Sequence, residues 1–290
     1  MKTIESGQLW SKRLVRGFGA SLLATTLWTA AASAQTNLIQ NGGFTTGGEP
    51  TANTATSAWS QLGATNNGVT PELQNWSLVG YPNNPGIDCV ALTNTLSTST
   101  QFCGSNYSAT LTQVPPGPGT AAGDLPSNYT GNVLVADANP SYDDEISQTV
   151  TGLLAHTNYT LTFYTSGAQQ AGFSGSSNDW WQVSYGSCAP SSTCTSGYTS
   201  TDTTPIAIPD SGGSPTWAKD TITFNTGSST SEVISFLAQS SQTANDPPFM
   251  MLADISLQVP EPASLALFGM GLAGLAGLRW RAKRPAAATA

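Results

Sequence analysis

The stretch "ISQTVTGLLAHTNYTLTFYTSG", Ile146 to Gly167, has the texture of two strands joined by a turn. Tyr159, Leu161 and Phe163 fall on one face, with Thr160 and Thr162 between them on the other. That period of two is what a half-buried strand needs. Upstream, "EISQTV" (145–150) is similarly rich in β-branched residues, and "LLAHTNYT" places His156, the only histidine, in a hairpin between the two.

Working outward, the same texture recurs at 37–44, 73–80, 131–138, 180–186, 220–226, 231–239 and 249–259. Clusters of Gly, Pro, Asn and Ser punctuate these runs, and no stretch of twelve or more residues carries a helical period. Roughly nine strands with polar connections predict an all-β fold, an antiparallel jelly-roll-like β-sandwich. The Ser/Thr/Gly-rich stretches 45–70 and 189–216 are expected as long surface loops. Residues 35–259 form one domain of a size a single sandwich reaches, without internal repeat or linker.

Charge is distributed unevenly. Between residues 35 and 259 there are fifteen acids against one base, Lys219, a formal charge of −14. Such a field repels phosphate backbones and excludes nucleic acid as a partner. The remaining basic residues are confined to the two ends, the pattern of membrane targeting. At the N-terminus a basic region runs to Arg16, "GFGASLLATTLWTAA" (17–31) is apolar, and Ala32-Ser33-Ala34 offers a cleavage site. This order predicts a signal peptide over 1–34 and a mature chain beginning near Gln35, outside the cytoplasm.

At the other end, Ala263 to Leu278 is sixteen residues without a charge. As a helix it spans about 24 Å, a minimal crossing of a hydrocarbon core of about 30 Å. Arg279, Arg281, Lys283 and Arg284 would stay on the cytoplasmic side, with Trp280 at the interface. Pro260-Glu261-Pro262 keeps a helix from running into the span from upstream. Pro-Glu-Pro, a short Gly/Ala/Leu-rich span and an Arg-rich tail together resemble the PEP-CTERM sorting signal, here residues 260–285. The resemblance implies processing by an exosortase, an integral-membrane cysteine protease that cleaves near the motif. It further implies a Gram-negative host that makes exopolysaccharide, transient anchoring in the inner membrane, and delivery to the cell surface, matrix or biofilm.

The four cysteines suit an exported chain. Cys89 and Cys103 lie fourteen apart and Cys188 and Cys194 six apart. Three connectivities are open from sequence, and the local pairs 89–103 and 188–194 are the expected ones, each within one strand–loop unit. Zinc, the rival use, is disfavoured by a single histidine and the lack of C-x-x-C.

"NLIQNGGF", "ISQTVTGLLAHTNYTLTFYTSG", Trp217 before "DTITF", and a final "LADISL" resemble galactose-binding-like sandwiches, the jelly rolls of many carbohydrate-binding modules. In many such domains a structural calcium joins the first strand to the last. The resemblance places its ligands at Asp254 and near Asn41, while Thr45 stands where the first-strand acid would be. No cofactor is required by any other feature.

Catalysis finds little support. Glycoside hydrolysis needs two carboxylates facing each other across the bond, but Asp143, Asp144 and Glu145 are consecutive. The loop from Asp137 through Asn139, Ser141 and Asp143 has alternating oxygen ligands, yet lacks the turn glycine and has Gln148 at the twelfth position. His156 reads as an exposed turn residue rather than a base. The expected class is therefore non-enzymatic, a surface or matrix protein associated with exopolysaccharide. A purely structural surface protein and a secreted glycoside hydrolase are the alternatives. Sugar binding needs an aromatic platform rimmed by Asn, Asp or Gln. Trp59, Trp76, Tyr81, Trp180, Trp181 and Tyr185 are the candidates. Adjacent residues on a strand face opposite ways, so one of Trp180 and Trp181 is core and the other is not. The outward one, with Asn178 and Asp179, is the expected carbohydrate contact.

Overall fold

The computed structural model describes residues 36–46, 59–61, 73–79, 91–93, 101–102, 109–115, 125–139, 145–191, 193–210, 215–241, 248–259 and 271. The expected signal peptide (1–34), Pro260, Glu261, Pro262 and the rest of the sorting signal but Gly271, and Cys89 with Cys103, lie outside these. The chain divides into two units, Met1–Ala34 and Gln35–Ala290. No helix of the described residues is long and apolar enough to cross a membrane.

The described residues of the second unit form fourteen strands: β1 (Trp59–Gln61), β2 (Ser77–Val79), β3 (Ala91–Thr93), β4 (Gln101–Phe102), β5 (Ala109–Thr112), β6 (Val133–Asp137), β7 (Glu145–Thr151), β8 (Asn158–Gln170), β9 (Ser177–Gly186), β10 (Tyr198–Asp202), β11 (Ile206–Ile208), β12 (Ala218–Asn225), β13 (Ser231–Ser240) and β14 (Pro248–Gln258). All their pairings are antiparallel, in two sheets. One has the order β1-β3-β6-β14-β8-β5-β4, with β12 beside β5 on the same edge of β8. The other has the order β10-β9-β13-β7-β2, with β11 following β10 along β9.

The alternation of Tyr159, Leu161 and Phe163 points those side chains into the space between the sheets, all nearly fully buried. Trp181, Val183, Ile234, Phe236 and Ile146 meet them from the six-stranded sheet. Phe236 sits at the centre, edge-on to Phe163 (5.0 Å, 83°) and to Trp181 (6.3 Å, 86°). A second apolar cluster, including Leu125, Val135, Trp217, Phe249 and Met251, lies on the far face of the eight-stranded sheet. Strands β6 and β14 of that sheet are thus buried on both sides, whereas β12 at its edge is largely exposed.

Three expectations are corrected. Residues 37–44 are not a strand: Asn41 (φ 54°) and Phe44 (φ 53°) turn the chain, and Asn41 holds the turn with its own side chain. Its Oδ1 accepts from the amides of Thr45 (2.8 Å) and Thr46 (3.0 Å), while Nδ2 donates to the carbonyls of Thr46 (2.8 Å) and Gln74 (3.0 Å). His156 is not in a hairpin, because β7 and β8 belong to different sheets; it is exposed, with φ 53°, in the crossover between them. The loops expected over 45–70 and 189–216 both contain strands, β1 (paired with β3) in the first and β10 and β11 (paired with β9) in the second. The expected Cys188–Cys194 disulfide is formed, with Cα atoms 6.3 Å apart.

Burial raises the carboxyls of Asp220, Glu232 and Asp254 above their ordinary range. The Thr165 hydroxyl, donating to Asp220 Oδ2 at 2.7 Å, and the charge of Lys219 near Asp254 only partly oppose this. A carboxyl with a raised folded pKa holds its proton more tightly folded than unfolded. Its stabilising contribution is complete below the unfolded value of about 4 and is lost as pH rises through the folded one. The charge of −14 adds repulsion with the same sign. Calorimetry should therefore show Tm rising by roughly 2–4 °C per kcal/mol gained as pH falls from about 7 to about 5. A Tm that falls over that interval contradicts the assignment.

Candidate functional site

The segment leading into the first turn joins the sandwich's two sheets. Asn37 Nδ2 donates to Ile255 O (3.0 Å), Asn37 Oδ1 accepts from Leu257 N (2.9 Å), and Leu38 N donates to Leu257 O (3.0 Å). Gln40 and Gln148 exchange bonds of 2.8 Å with the β7 side. The clasp bonds Ile255, the residue after Asp254, and adjoins Asn41, the two positions at which the family resemblance implies a calcium. Such an ion needs six to eight oxygen ligands. Here Asn41 Oδ1 already accepts two amides, Asn41 O accepts from Phe44 N and Trp76 Nε1, and Gly42 O accepts from Ile255 N. Asp254 (φ 51°) lies in a bulge of β14, near Lys219 and in hydrogen-bond contact through its backbone with Tyr129, whose phenol burial also pushes up. No group of three or more His, Cys, Asp or Glu among the described residues is arranged to hold a metal.

Strand β9 separates the tryptophan pair as alternation requires. Trp181 is fully buried and its Nε1 donates across the sandwich to Met251 O at 3.1 Å. Trp180 is half-buried on the outer face. The side chains expected beside it divide the same way. Asn178 is exposed and shares the outer face, whereas Asp179, at 0 % exposure, shares the inner face with Trp181 and accepts from Ser177 Oγ at 2.8 Å. Asp179 therefore does not rim Trp180, because residues two apart on a strand point the same way.

The neighbours Trp180 does have come from other strands. Gln239 of β13 is directly opposite it, and Gln182 lies two residues along β9. Gln182 in turn is opposite Asp202 of β10, and its Nε2 donates to Asp202 Oδ1 at 3.3 Å. Trp180 Nε1 is buried without a hydrogen-bond partner, a donor left unused beside two amides and a carboxylate. Gln182, Gln239 and Asp202 were not anticipated: their approach depends on the register of β9, β10 and β13, for which no short-range signal exists.

The other aromatics serve the core. Trp76 is buried against Phe44 (5.7 Å) and Phe236 (6.2 Å), and Tyr185 stacks on Phe224 at 4.6 Å and 19°. The side chains of Trp59 and Tyr81, and Asp143 with Asp144, lie outside the described residues. Glu145, the first residue of β7, is buried, as is Asp137, whose Oδ1 accepts from Asn139 N at 2.8 Å.

Residues 258–284 match the PEP-CTERM protein-sorting motif. That motif implies an exported, exosortase-processed protein. Among curated proteins no sequence matches this chain. Among solved structures the chain is similar to TmCBM61 in complex with β-1,4-galactotriose, with 16 % identity over 78 % of this chain and 99 % of that one, at a TM-score of 0.35. It is similar to a putative sugar binding protein from Bacteroides thetaiotaomicron, with 13 % identity, 77 % and 100 % coverage, and a TM-score of 0.35. A third is the K3 cleaved adhesin domain of Lys-gingipain from Porphyromonas gingivalis, with 12 % identity, 63 % and 89 % coverage, and a TM-score of 0.35.

Proposed function

We propose that this is a non-enzymatic surface or matrix protein whose sandwich holds extracellular polysaccharide on the outer face of the six-stranded sheet. Residues 1–34 direct export, the apolar span 263–278 anchors the chain briefly in the inner membrane, and exosortase releases it near Pro260-Glu261-Pro262. The observation that carries the binding reading is Trp180. A large aromatic stands half-buried on the outer sheet face, its buried indole N–H without a partner, and Gln182, Gln239 and Asp202 lie around it. A pyranose stacks its C–H face on such a ring and pairs its hydroxyls with amides and carboxylates.

Trp180→Ala should weaken retention on the host's exopolysaccharide about tenfold, equivalent to about 1.4 kcal/mol, with Tm nearly unchanged. Affinity electrophoresis of wild type and variant is the measurement. Equal retention of the two would favour a purely structural coat protein. Release of reducing ends from the polysaccharide would favour a glycoside hydrolase instead.

A further inference from the structure

Both sheets end together at one pole of the sandwich, and the sequence there is uncharged. β7 finishes at Thr151 and β8 starts at Asn158; β12 finishes at Asn225 and β13 starts at Ser231; β14 finishes at Gln258. β9 arrives at Gly186 and β10 leaves at Tyr198, directly opposite it. The stretches 151–158, 186–201 and 225–231, with 35–40 and 257–260, hold no Asp, Glu, Lys or Arg. Glu232, the first acid inward from Ser231, is buried. Asp137, Glu145, Asp179 and Asp210 lie at the other pole.

Leu154 stands out of the uncharged pole. At 62 % exposure it is the most exposed large apolar side chain among the described residues. The crossover that carries it is braced. Leu154 N donates to Tyr159 Oη (2.8 Å), its carbonyl accepts from Thr226 Oγ1 (2.7 Å), and His156 N donates to Gly227 O. A fixed backbone therefore holds the side chain in water. One exposed leucine is ordinary on a protein surface, so its position has to decide. Thr160 is opposite Gln258, which puts Asn158 about 7 Å beyond the level where β14 ends, with the crossover further out. From Gln258 to Ala263, where the apolar span begins, is five residues, at most about 18 Å of chain. The pole bearing Leu154 is thus the end of the domain tethered closest to the span, and Ala155 is exposed there beside it.

We propose that this pole docks on the lipid surface of the inner membrane while the chain is anchored, with Leu154 inserted at the boundary between headgroups and acyl chains. The inference rests on the anchoring read above and adds the surface that meets the lipid. An anionic bilayer repels a domain of formal charge −14, so the domain approaches through the end without ionised side chains. The leucine gains by leaving water. So small an apolar patch binds weakly alone, and the tether supplies the local concentration it needs. Docking keeps Pro260-Glu261-Pro262 at the membrane surface, within reach of an integral-membrane protease. Cleavage removes the tether, and the domain then leaves the lipid.

The test uses the exported chain with its sorting signal intact, made in cells without exosortase. It is reconstituted into vesicles of phosphatidylethanolamine and phosphatidylglycerol, with and without bromine on the acyl chains. Bromine quenches a tryptophan that reaches the acyl boundary. Two variants are compared with wild type: Leu154→Trp, and Phe173→Trp in the exposed turn between β8 and β9 at the other pole. The emission added by Leu154→Trp should fall by about half in brominated vesicles, and that added by Phe173→Trp should not change. In exosortase-containing cells Leu154→Asp should slow loss of the C-terminal segment about fivefold, equivalent to about 1 kcal/mol, with Tm unchanged. Processing at the wild-type rate would overturn the positioning of the motif. If the chain does not float with the vesicles, the anchoring reading fails and the docking with it. If it floats and Leu154→Trp is quenched no more than Phe173→Trp, the docking alone is wrong. Unquenched, blue-shifted emission that grows with protein density would assign the pole to a second copy of the chain instead.

Discussion

Trp181→Ala should cost about 3–5 kcal/mol of folding stability, as large-to-small changes in a close-packed core do. The residue is fully buried at the meeting point of the two sheets. Its ring lies edge-on to Phe236, which also contacts Phe163 and Trp76, so the cavity would open at the hub of the aromatic cluster. The indole N–H that binds Met251 O from the opposite sheet would also be lost. Trp181→Phe keeps a six-membered aromatic ring and removes the pyrrole part of the indole with its N–H, so it should cost less than the alanine variant, about 2–3 kcal/mol for a smaller cavity and an unmatched buried carbonyl together. Denaturant unfolding measures both, and a loss below about 1 kcal/mol for the alanine variant would place Trp181 outside the core. The contrast with Trp180→Ala, one residue away and nearly neutral for stability, follows from alternation alone.

Those two tryptophans show what could be read from the chain and what could not. Alternation is a local property, so the opposite fates of Trp180 and Trp181 were visible in the sequence, as was the inward set Tyr159, Leu161 and Phe163. The same rule places Asp179 with Trp181, and reading it as a neighbour of Trp180 mistook sequence adjacency for spatial adjacency. Gln239 and Asp202 required register between strands up to about 60 residues apart in sequence, which no single segment records. β10 and β11 were missed because "YTSTD" and "IAI" sit inside a Ser/Thr-rich stretch whose composition resembles a loop. Their strand character comes from pairing with the edge of β9, a tertiary cause. "NLIQNGGF" misled in the opposite direction: its apolar residues resemble a strand, but Asn41 satisfies its own turn with four hydrogen bonds.

Gly42→Ala should be nearly as damaging as the loss of a core side chain, for a steric reason. A Cβ at Gly42 would lie 2.0 Å from Ile255 O and 3.0 Å from its carbonyl carbon, with Ile39 Cγ2 at 3.2 Å. The obstacle is backbone within the bulge of β14, so no side chain can rotate to relieve it. The turn would have to back away, breaking the bond from Ile255 N to Gly42 O (3.0 Å) and pulling on the Asn37 bonds to Ile255 and Leu257. Overpacking of about 1–3 kcal/mol plus a lost hydrogen bond of about 1 kcal/mol gives an expected cost of about 3 kcal/mol. Two other glycines serve as controls. At Gly43 the nearest atom to an added Cβ is 3.8 Å away, so Gly43→Ala should change stability little. Gly152 has open space around it but φ 77°, so Gly152→Ala should cost about 1 kcal/mol through backbone conformation alone. Urea unfolding of the three variants should rank Gly42→Ala well below Gly152→Ala, and Gly152→Ala below Gly43→Ala. Equal losses at Gly42 and Gly43 would mean that the first turn does not pack against β14 as described, and the bond from Ile255 N to Gly42 O would have to be abandoned with it.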